Sequence, residues 1–575
     1  MESKPTPADS PAVFFIQNSA EAQPPAKARR AGRLGTALME LAQLDAPLPP
    51  GFVLSTGHCA PVLASPDGLP AATAKALKDG LKQLETWEAR RFGDARNPLL
   101  LAVRLSAPLE LPVSQGPAVN LGLSLERMPE LAEASGNARW AWDAYRRFAV
   151  SYALNVLRLP RDSFDALSSA ALDEAGALEE QELSAAAVEK LARAVHERCA
   201  QAGAPLPQDP FAQLSGAVRN TFALWGQPRV RQYRRTQVLD DVSGVASVVQ
   251  VMAYGTRGEQ GVAGTVASRD PALGTRQLYG KYLPDADEFD LTAGTRIPDD
   301  IATLKSGQPD AFAQIETLAQ RLERHFHNAV QFTFVVDQGA LRVLTCAPAN
   351  RTPRAGMRMA LDLVSEGLAS TRQALRSIDP VAIEQLMHPI LDKSGNPQAV
   401  TKGLPASPGS AVGQVVFFAE HAEELAGQGK KIILVRHETT PEDIGGLNVA
   451  QGILTGTGGL TSHAAVVARG MGKCCVVGAS KVHINYHINE MTLNGQTVKR
   501  GDWISLDGNT GEVYLGELPQ IQPSVEGDLK TVLEWADDNR KLGVYANADT
   551  AGDARRAVEL GAGGIGLCRT EHMFF

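Results

Sequence analysis

One histidine, His463, stands between a glycine-rich loop, Thr455-Gly-Thr-Gly-Gly-Leu460, and a short apolar run, Ala464 to Ala468. Neutral imidazole is a nucleophile near pH 7, with an unperturbed pKa of about 6.5. The glycines let the backbone come close to a ligand. Thr461 or Ser462 can serve as N-cap of the helix that the run predicts, and Gly470 as its stop. A helix N-terminus leaves amide N–H groups unpaired and carries partial positive charge, so it favours an anion. Together these features suit a histidine that could take up a phosphoryl group. From such a loop alone, a structural histidine capping a helix of an ordinary α/β domain is the favoured reading.

The elements that must position His463 follow from periodicity. Cys474 to Gly478 reads as a short buried strand. Gly413 to Phe418, Ile432 to Arg436 and Gly452 to Thr455 read as further strands alternating with helices. Gly403-Leu-Pro-Ala-Ser-Pro-Gly409 is a domain entrance. Upstream, Val13 to Ile16 is a strand in a loose segment, residues 1–27, rich in Pro, Ala and Ser. A mixed domain is expected over 28–355. It holds a helix from Ser184 to Cys199 and strand-rich stretches at Gly244 to Tyr254 and Val330 to Leu344. A helical linker is expected over 356–402, the histidine domain over 403–516, and a second linker over 517–541 with a helix from Leu529 to Lys541. Residues 542–575 predict strand, helix, strand: the opening of a parallel α/β domain that one such unit cannot complete alone.

Bulk properties exclude several classes. The chain has 575 residues, enough for three or four domains. Hydrophobic residues make up 44% and charged residues 21%, ordinary values for a globular chain. A net charge of -8 argues against nucleic acid and anionic membrane as partners. The six cysteines form no CxxC pair, and Cys474 and Cys475 read as buried thiols. No apolar run has transmembrane length and no signal peptide is evident, so the cytoplasm is the expected location.

The run from Gly458 to Val476 resembles the phosphohistidine segment of the PEP-utilising enzymes, specifically the pyruvate, phosphate dikinase family. The resemblance covers nearly the whole chain and is strongest from about residue 400. It implies a multidomain α/β and α+β protein. Its parts would be an ATP-grasp-like nucleotide domain, a swivelling β/β/α phosphohistidine domain, and the start of a TIM-like (β/α) barrel. His463 would pass a phosphoryl group between ATP/phosphate and pyruvate/PEP, with Mg²⁺ as cofactor. Thr461 would be a regulatory phosphorylation site, where added negative charge repels an incoming phosphoryl group. In Gly561 to Phe575 the resemblance gives Arg569 the PEP phosphate, which a planar guanidinium pairs bidentately. Tyr545 stands where the family usually has arginine.

Over the first domain the resemblance implies lost charges. A family lysine falls on Leu34, an arginine on Pro108, glutamates on Lys281, Phe289 and Gln331, a glutamine on Thr345 and an arginine on Ala347. Mg²⁺ asks for oxygen ligands, mostly water and carboxylate. Each lost charged contact to phosphate is worth on the order of 1.5–3 kcal/mol. Impaired loading from ATP is therefore expected. Arg104, Arg269 and Arg296 remain, either as residual anion-binding groups or as structural ion pairs. A homodimer, or a mixed dimer with an intact dikinase, is a possible assembly. The competing expectation is a non-catalytic or truncated paralogue that regulates or scaffolds a complete enzyme. His483 and His487, with no third ligand evident, read as a surface pair.

Overall fold

A computed structural model describes the chain except for residues 1–9, 18–26, 66–67, 110, 112–115, 237–243, 258–259, 294–295, 381–382, 384–387, 460–461, 522–526 and 571–575. Thr461 lies outside the described residues. The fold is mixed α/β and divides into two units. One is Met1–Pro271 with Thr275–Asn350; the other is Ala272–Gly274 with Arg351–Phe575.

The first unit holds two antiparallel five-stranded sheets. One runs in the order Val13–Ile16, Gly51–Leu54, Ala246–Val251, Leu101–Ser106, Ala118–Leu121. The other runs Asp299–Asp300, Tyr279–Pro284, Val262–Ala267, Val330–Asp337, Ala340–Pro348. Apolar residues of both, such as Val53, Val248, Val266 and Phe334, share one core with Leu38 and Leu41 of the helix Ala28–Gln43. That helix kinks at Gly32, whose φ of 69° is left-handed. A Cβ at Gly32 would lie 2.2 Å from the Ser106 carbonyl oxygen, so only glycine fits there.

The expected helix from Ser184 is present as Ala185–Gln201, and Ser184 caps it by accepting from the Ala187 N–H. A helical layer covers the first sheet, centred on Ala138–Asn155. That helix carries two buried arginines. Arg147 reaches Asp143 at 2.8 Å and Asp287 at 2.7 Å, and also pairs with Asp290. Arg146 is shared between Asp143 at 2.7 Å and Glu180 at 3.0 Å. Burial alone would raise the Asp143 carboxyl, but Arg146 and Arg147 together hold it well below the usual range. Asp287 goes the other way. Burial pushes its carboxyl up, Arg147 offsets part of that, and Asp290 pushes it further.

In the second unit the central sheet has eight strands. Four are parallel neighbours: Ser410–Val416, Ile432–Arg436, Gly452–Thr455 and Cys474–Val477. Beyond the first come Trp503–Asp507, Glu512–Leu515 and Thr401–Lys402, and beyond the last comes Leu404–Ser407, all antiparallel. Strand alternation sends side chains to opposite faces. Ile433, Val435, Leu454 and Val476 pack against a three-stranded sheet, Val482–Asn485, Glu490–Leu493 and Gln496–Lys499. Ile432, Leu434, Ile453 and Val477 pack against the helices Ala419–Gly427, Ile444–Val449 and His463–Gly470. The result is a β/β/α sandwich. Cys474 joins the first of these cores and Cys475 the second, so the adjacent thiols face apart. Five cysteines are buried and free, and Cys568 is exposed.

The linker helices Pro353–Ser365 and Asp528–Asn539 share a small core of Met357, Leu529 and Val532. The tail is strand, helix, strand as expected, but its strands are only Tyr545–Ala546 and Gly564–Ile565, paired in parallel around Ala551–Glu559. Leu542, Val544, Tyr545 and Leu567 are exposed. Two residues per strand cannot bury them, since a parallel pair needs cover on both faces.

Arg147→Met leaves three buried carboxylates without their shared cation, and the first unit is expected to lose about 3–5 kcal/mol in denaturant titration. Asp287 supplies a pH signature. Its folded pKa is raised, so the folded state holds the proton more tightly than the unfolded chain. Stability of this unit therefore rises as pH is lowered from neutral toward the ordinary aspartate value of about 3.9. Thermal melts from pH 8 to pH 5 check this, and Asp287→Asn is expected to flatten the slope.

Candidate functional site

The parallel strands Ile432–Arg436, Gly452–Thr455 and Cys474–Val477 lie side by side, and the loops that leave their carboxyl ends converge. Such ends are where open α/β sheets bind ligands. The loop after the middle strand leads to His463, the first residue of the helix His463–Gly470. Ala464, Ala465 and Ala468 of that helix are buried on the sheet, and their small size lets it sit close. Gly470 ends the helix, but the left-handed residue beyond it is Gly472, φ 65°.

The glycine loop is fixed at several points. The Gly456 N–H donates to the Arg436 carbonyl at 3.0 Å and the Thr457 N–H to the His437 carbonyl at 2.9 Å. The Thr457 hydroxyl donates to the His437 carbonyl as well, at 2.8 Å. The third loop comes so close that a Cβ on Gly478 would lie 2.6 Å from the Gly458 carbonyl oxygen. Ser462 stands at the N-cap position, and its Oγ is buried without a partner among the described residues.

The first loop, residues 437–443, was not picked out from sequence, yet it supplies the direct contact to the histidine. Arg436 Nε sits 3.2 Å from Asp443, and its Nη1 donates to the Phe417 carbonyl at 3.0 Å. Asp443 Oδ2 in turn accepts the Thr440 N–H at 2.9 Å. The loop is thereby drawn back onto its own strand. Thr439, 4% exposed, brings its hydroxyl 3.2 Å from His463 Nδ1. With Nδ1 engaged, Nε2 is the ring nitrogen left to react. Exposed Glu442 is within electrostatic reach. Its carboxyl is held below the usual range first by the Thr440 hydroxyl, then by its own backbone N–H, and least by His463.

The remaining arginines are placed as follows. Arg104, 5% exposed, donates from Nε to Glu288 and from Nη1 to Gln250, each at 2.8 Å, and pairs with Glu288 through Nη2 as well. Arg269 has no exposed surface and meets Glu323 at 2.9 and 3.0 Å. Arg296 donates to the backbone carbonyls of Pro284 at 2.8 Å and Asp285 at 3.3 Å, with Glu179 at 3.6 Å. Arg569 is exposed, and its backbone N–H donates to Asp549 at 2.6 Å. The segment after Gly32 is tied to the end of the strand Leu101–Ser106. The Arg33 N–H donates to the Ala107 carbonyl at 2.8 Å and the Gly35 N–H to Ser106 Oγ at 2.9 Å. Leu34 packs on the core.

Among the described residues, the positions that the resemblance points to do not fit Mg²⁺. Gln331 lies across from Ala347, and Thr333 from Thr345, so this patch offers no carboxylate. Asp287, Glu288 and Asp290 are committed to Arg147 and Arg104. Among the described residues no group of three His, Cys, Asp or Glu side chains could hold a metal ion. His483 is in the strand Val482–Asn485 and His487 in the turn beyond it, both exposed. No described helix is long and apolar enough to cross a membrane.

Residues 428–511 match the family model for the PEP-utilising enzyme, mobile domain, and residues 524–575 match that for the PEP-utilising enzyme, PEP-binding domain. The chain is 40% identical to pyruvate, phosphate dikinase 1, chloroplastic, of Oryza sativa subsp. japonica, over 95% of its own length and 58% of the relative's. It is 38% identical to the pyruvate, phosphate dikinase of Rhizobium meliloti and 39% to that of Clostridium symbiosum. Each match again covers 95% of this chain, with 62% and 63% of those relatives. The chain thus spans about three-fifths of the length of these relatives.

Thr439→Val removes the hydroxyl that holds His463 Nδ1 while keeping the side chain's volume. The expected outcome is loss of the Nδ1 hydrogen bond in the ¹⁵N spectrum of labelled histidine. Any nucleophilic reaction at His463 Nε2 is expected to slow by roughly two- to tenfold, the worth of one hydrogen bond.

Proposed function

Since the chain belongs to the pyruvate, phosphate dikinase family of PEP-utilising enzymes, we propose that it is a phosphotransferase whose carrier is Nε2 of His463. The observation that carries this reading is the imidazole at the carboxyl ends of adjacent parallel strands, with Nδ1 held by Thr439. In transfer from PEP, the Nε2 lone pair forms a bond to phosphorus and the bond from phosphorus to the enol oxygen breaks. Pyruvate leaves as its enolate and takes a proton from solvent. The reverse step returns the phosphoryl group. Arg569, in the segment that follows the tail strand Gly564–Ile565, is read as a partner of the PEP phosphate.

We read the first unit as a nucleotide domain of ATP-grasp type, and residues 542–575 as the opening of a (β/α) barrel. Phosphate and ATP would load His463 through the first unit, and poorly. Arg104 and Arg269 spend their charge on Glu288 and Glu323, and the N–H groups after Gly32 are spent on Ser106 and Ala107. A phosphate arriving there would have to break buried ion pairs to be neutralised. The same observation favours the second reading, a non-catalytic paralogue that associates with a complete dikinase. Thr461 remains, by resemblance, the position whose phosphorylation would silence His463.

Labelled ATP with Mg²⁺ and phosphate, and labelled PEP, offered separately, test both readings. Acid-labile, base-stable label that disappears in His463→Asn is expected. From ATP its extent is expected to be at least about tenfold below that of the Clostridium symbiosum relative, given several lost phosphate contacts. Equal labelling from ATP overturns the impaired reading, and label that survives His463→Asn overturns the carrier. No label from either donor, with co-purification of a complete dikinase, supports the second reading.

A further inference from the structure

The first unit contains a charged cleft that the phosphohistidine chemistry does not use. It has a volume of about 330 Å³, in the lower range of small-molecule sites. Its wall includes Arg96, Asn97, Asn137, Trp140, Arg257 and Gln338, and none of its lining residues is an acid. Arg257 is fixed in an unusual way. The rings of Trp140 and Tyr254 meet edge to face at 81°, with centroids 5.4 Å apart. The Arg257 guanidinium lies in the corner they form, 4.4 Å from the Trp140 centroid and 4.2 Å from that of Tyr254. Two cation–π contacts thus immobilise the guanidinium without consuming its N–H donors. Among the described residues its side chain makes no hydrogen bond and no ion pair.

The platform itself is rigid. Tyr254 donates its hydroxyl to Asn120 at 2.8 Å, and the Trp140 backbone N–H is held by the Asn137 side chain at 2.9 Å. Trp140, part of the same wall, is 7% exposed, and its Nε1–H is buried without an acceptor among the described residues. An orphaned indole donor of this kind costs free energy unless something accepts from it. Two acids flanking the wall in sequence are engaged by backbone N–H groups. Asp94 accepts from the backbone N–H groups of Arg96 and Asn97, and Asp337 from that of Tyr254.

We propose that this cleft binds the phosphate group of a small molecule, with the Arg257 fork as its principal donor. A guanidinium fork pairs bidentately with phosphate or carboxylate oxygens. Two cations in the wall and no acid favour the more highly charged of the two. Phosphate carries about -1.5 to -2 near pH 7, against -1 for a carboxylate. The inference does not rest on His463, nor on the reading of this unit as a nucleotide domain.

The test uses the full chain with its tryptophan indoles ¹⁵N-labelled, titrated with inorganic phosphate. The Trp140 Nε1–H signal is assigned by its disappearance in Trp140→Phe. A saturable shift of that signal is expected. Arg257→Met, which keeps the stem over the rings, is expected to raise the half-saturating phosphate concentration by roughly tenfold or more, the effect of losing a charged hydrogen bond. Arg257→Lys, which keeps the charge without the fork, is expected to raise it by less. Arg324→Met, on an exposed helix face, should leave it unchanged. The proposal is overturned by a Trp140 signal that does not saturate, by an unchanged midpoint in a folded Arg257→Met, or by acetate saturating the site as well as phosphate at equal ionic strength.

Discussion

A loop leaving the end of a parallel strand goes where its ties to the sheet send it. In the domain that holds His463 that tie is the pair of Arg436 and Asp443, closed over by the Thr440 N–H and anchored to the Phe417 carbonyl. Because the pair is nearly buried, breaking it would leave an uncompensated charge against the sheet, so the loop has one strongly preferred course. That course delivers Thr439 to His463. Which ring nitrogen of His463 is engaged is thus decided by an ion pair on a neighbouring strand.

The first unit uses ion pairs to the opposite end. Arg104 with Glu288, Arg269 with Glu323, and Arg147 with its three aspartates satisfy one another inside the fold. Charges that close on each other hold a structure together and offer little to a visiting ligand. Where the unit keeps an unspent guanidinium, at Arg257, aromatic faces hold it, and they leave its donors available. The two arrangements differ in what the arginine has left to give.

How much of this could be read from sequence depended on the range of the interaction. The glycine loop, the helix at His463 and the strand Cys474–Val477 were legible because their signals are local: turn residues, a cap position and a short apolar run. Thr439 was not, because it meets His463 across 24 residues and through a salt bridge that follows no period. Arg104 and Glu288 are 184 residues apart, so sequence alone left open whether that arginine was spent. The tail strands came out shorter than their apolar runs suggested. The run Leu542 to Ala546 has the composition of a strand, but the neighbours that would extend the pairing are not among the described residues.

The distribution of thiols has a practical side. Cys59, Cys199, Cys346 and Cys474 are buried with their thiols pushed up by that burial, and Cys475 is enclosed beside the helix His463–Gly470. Maleimide chemistry needs an accessible thiolate, so Cys568 is left as the natural attachment point for a fluorophore or nitroxide. One dye there, one residue before Arg569, would report on the tail through distance or anisotropy measurements in the unmutated chain.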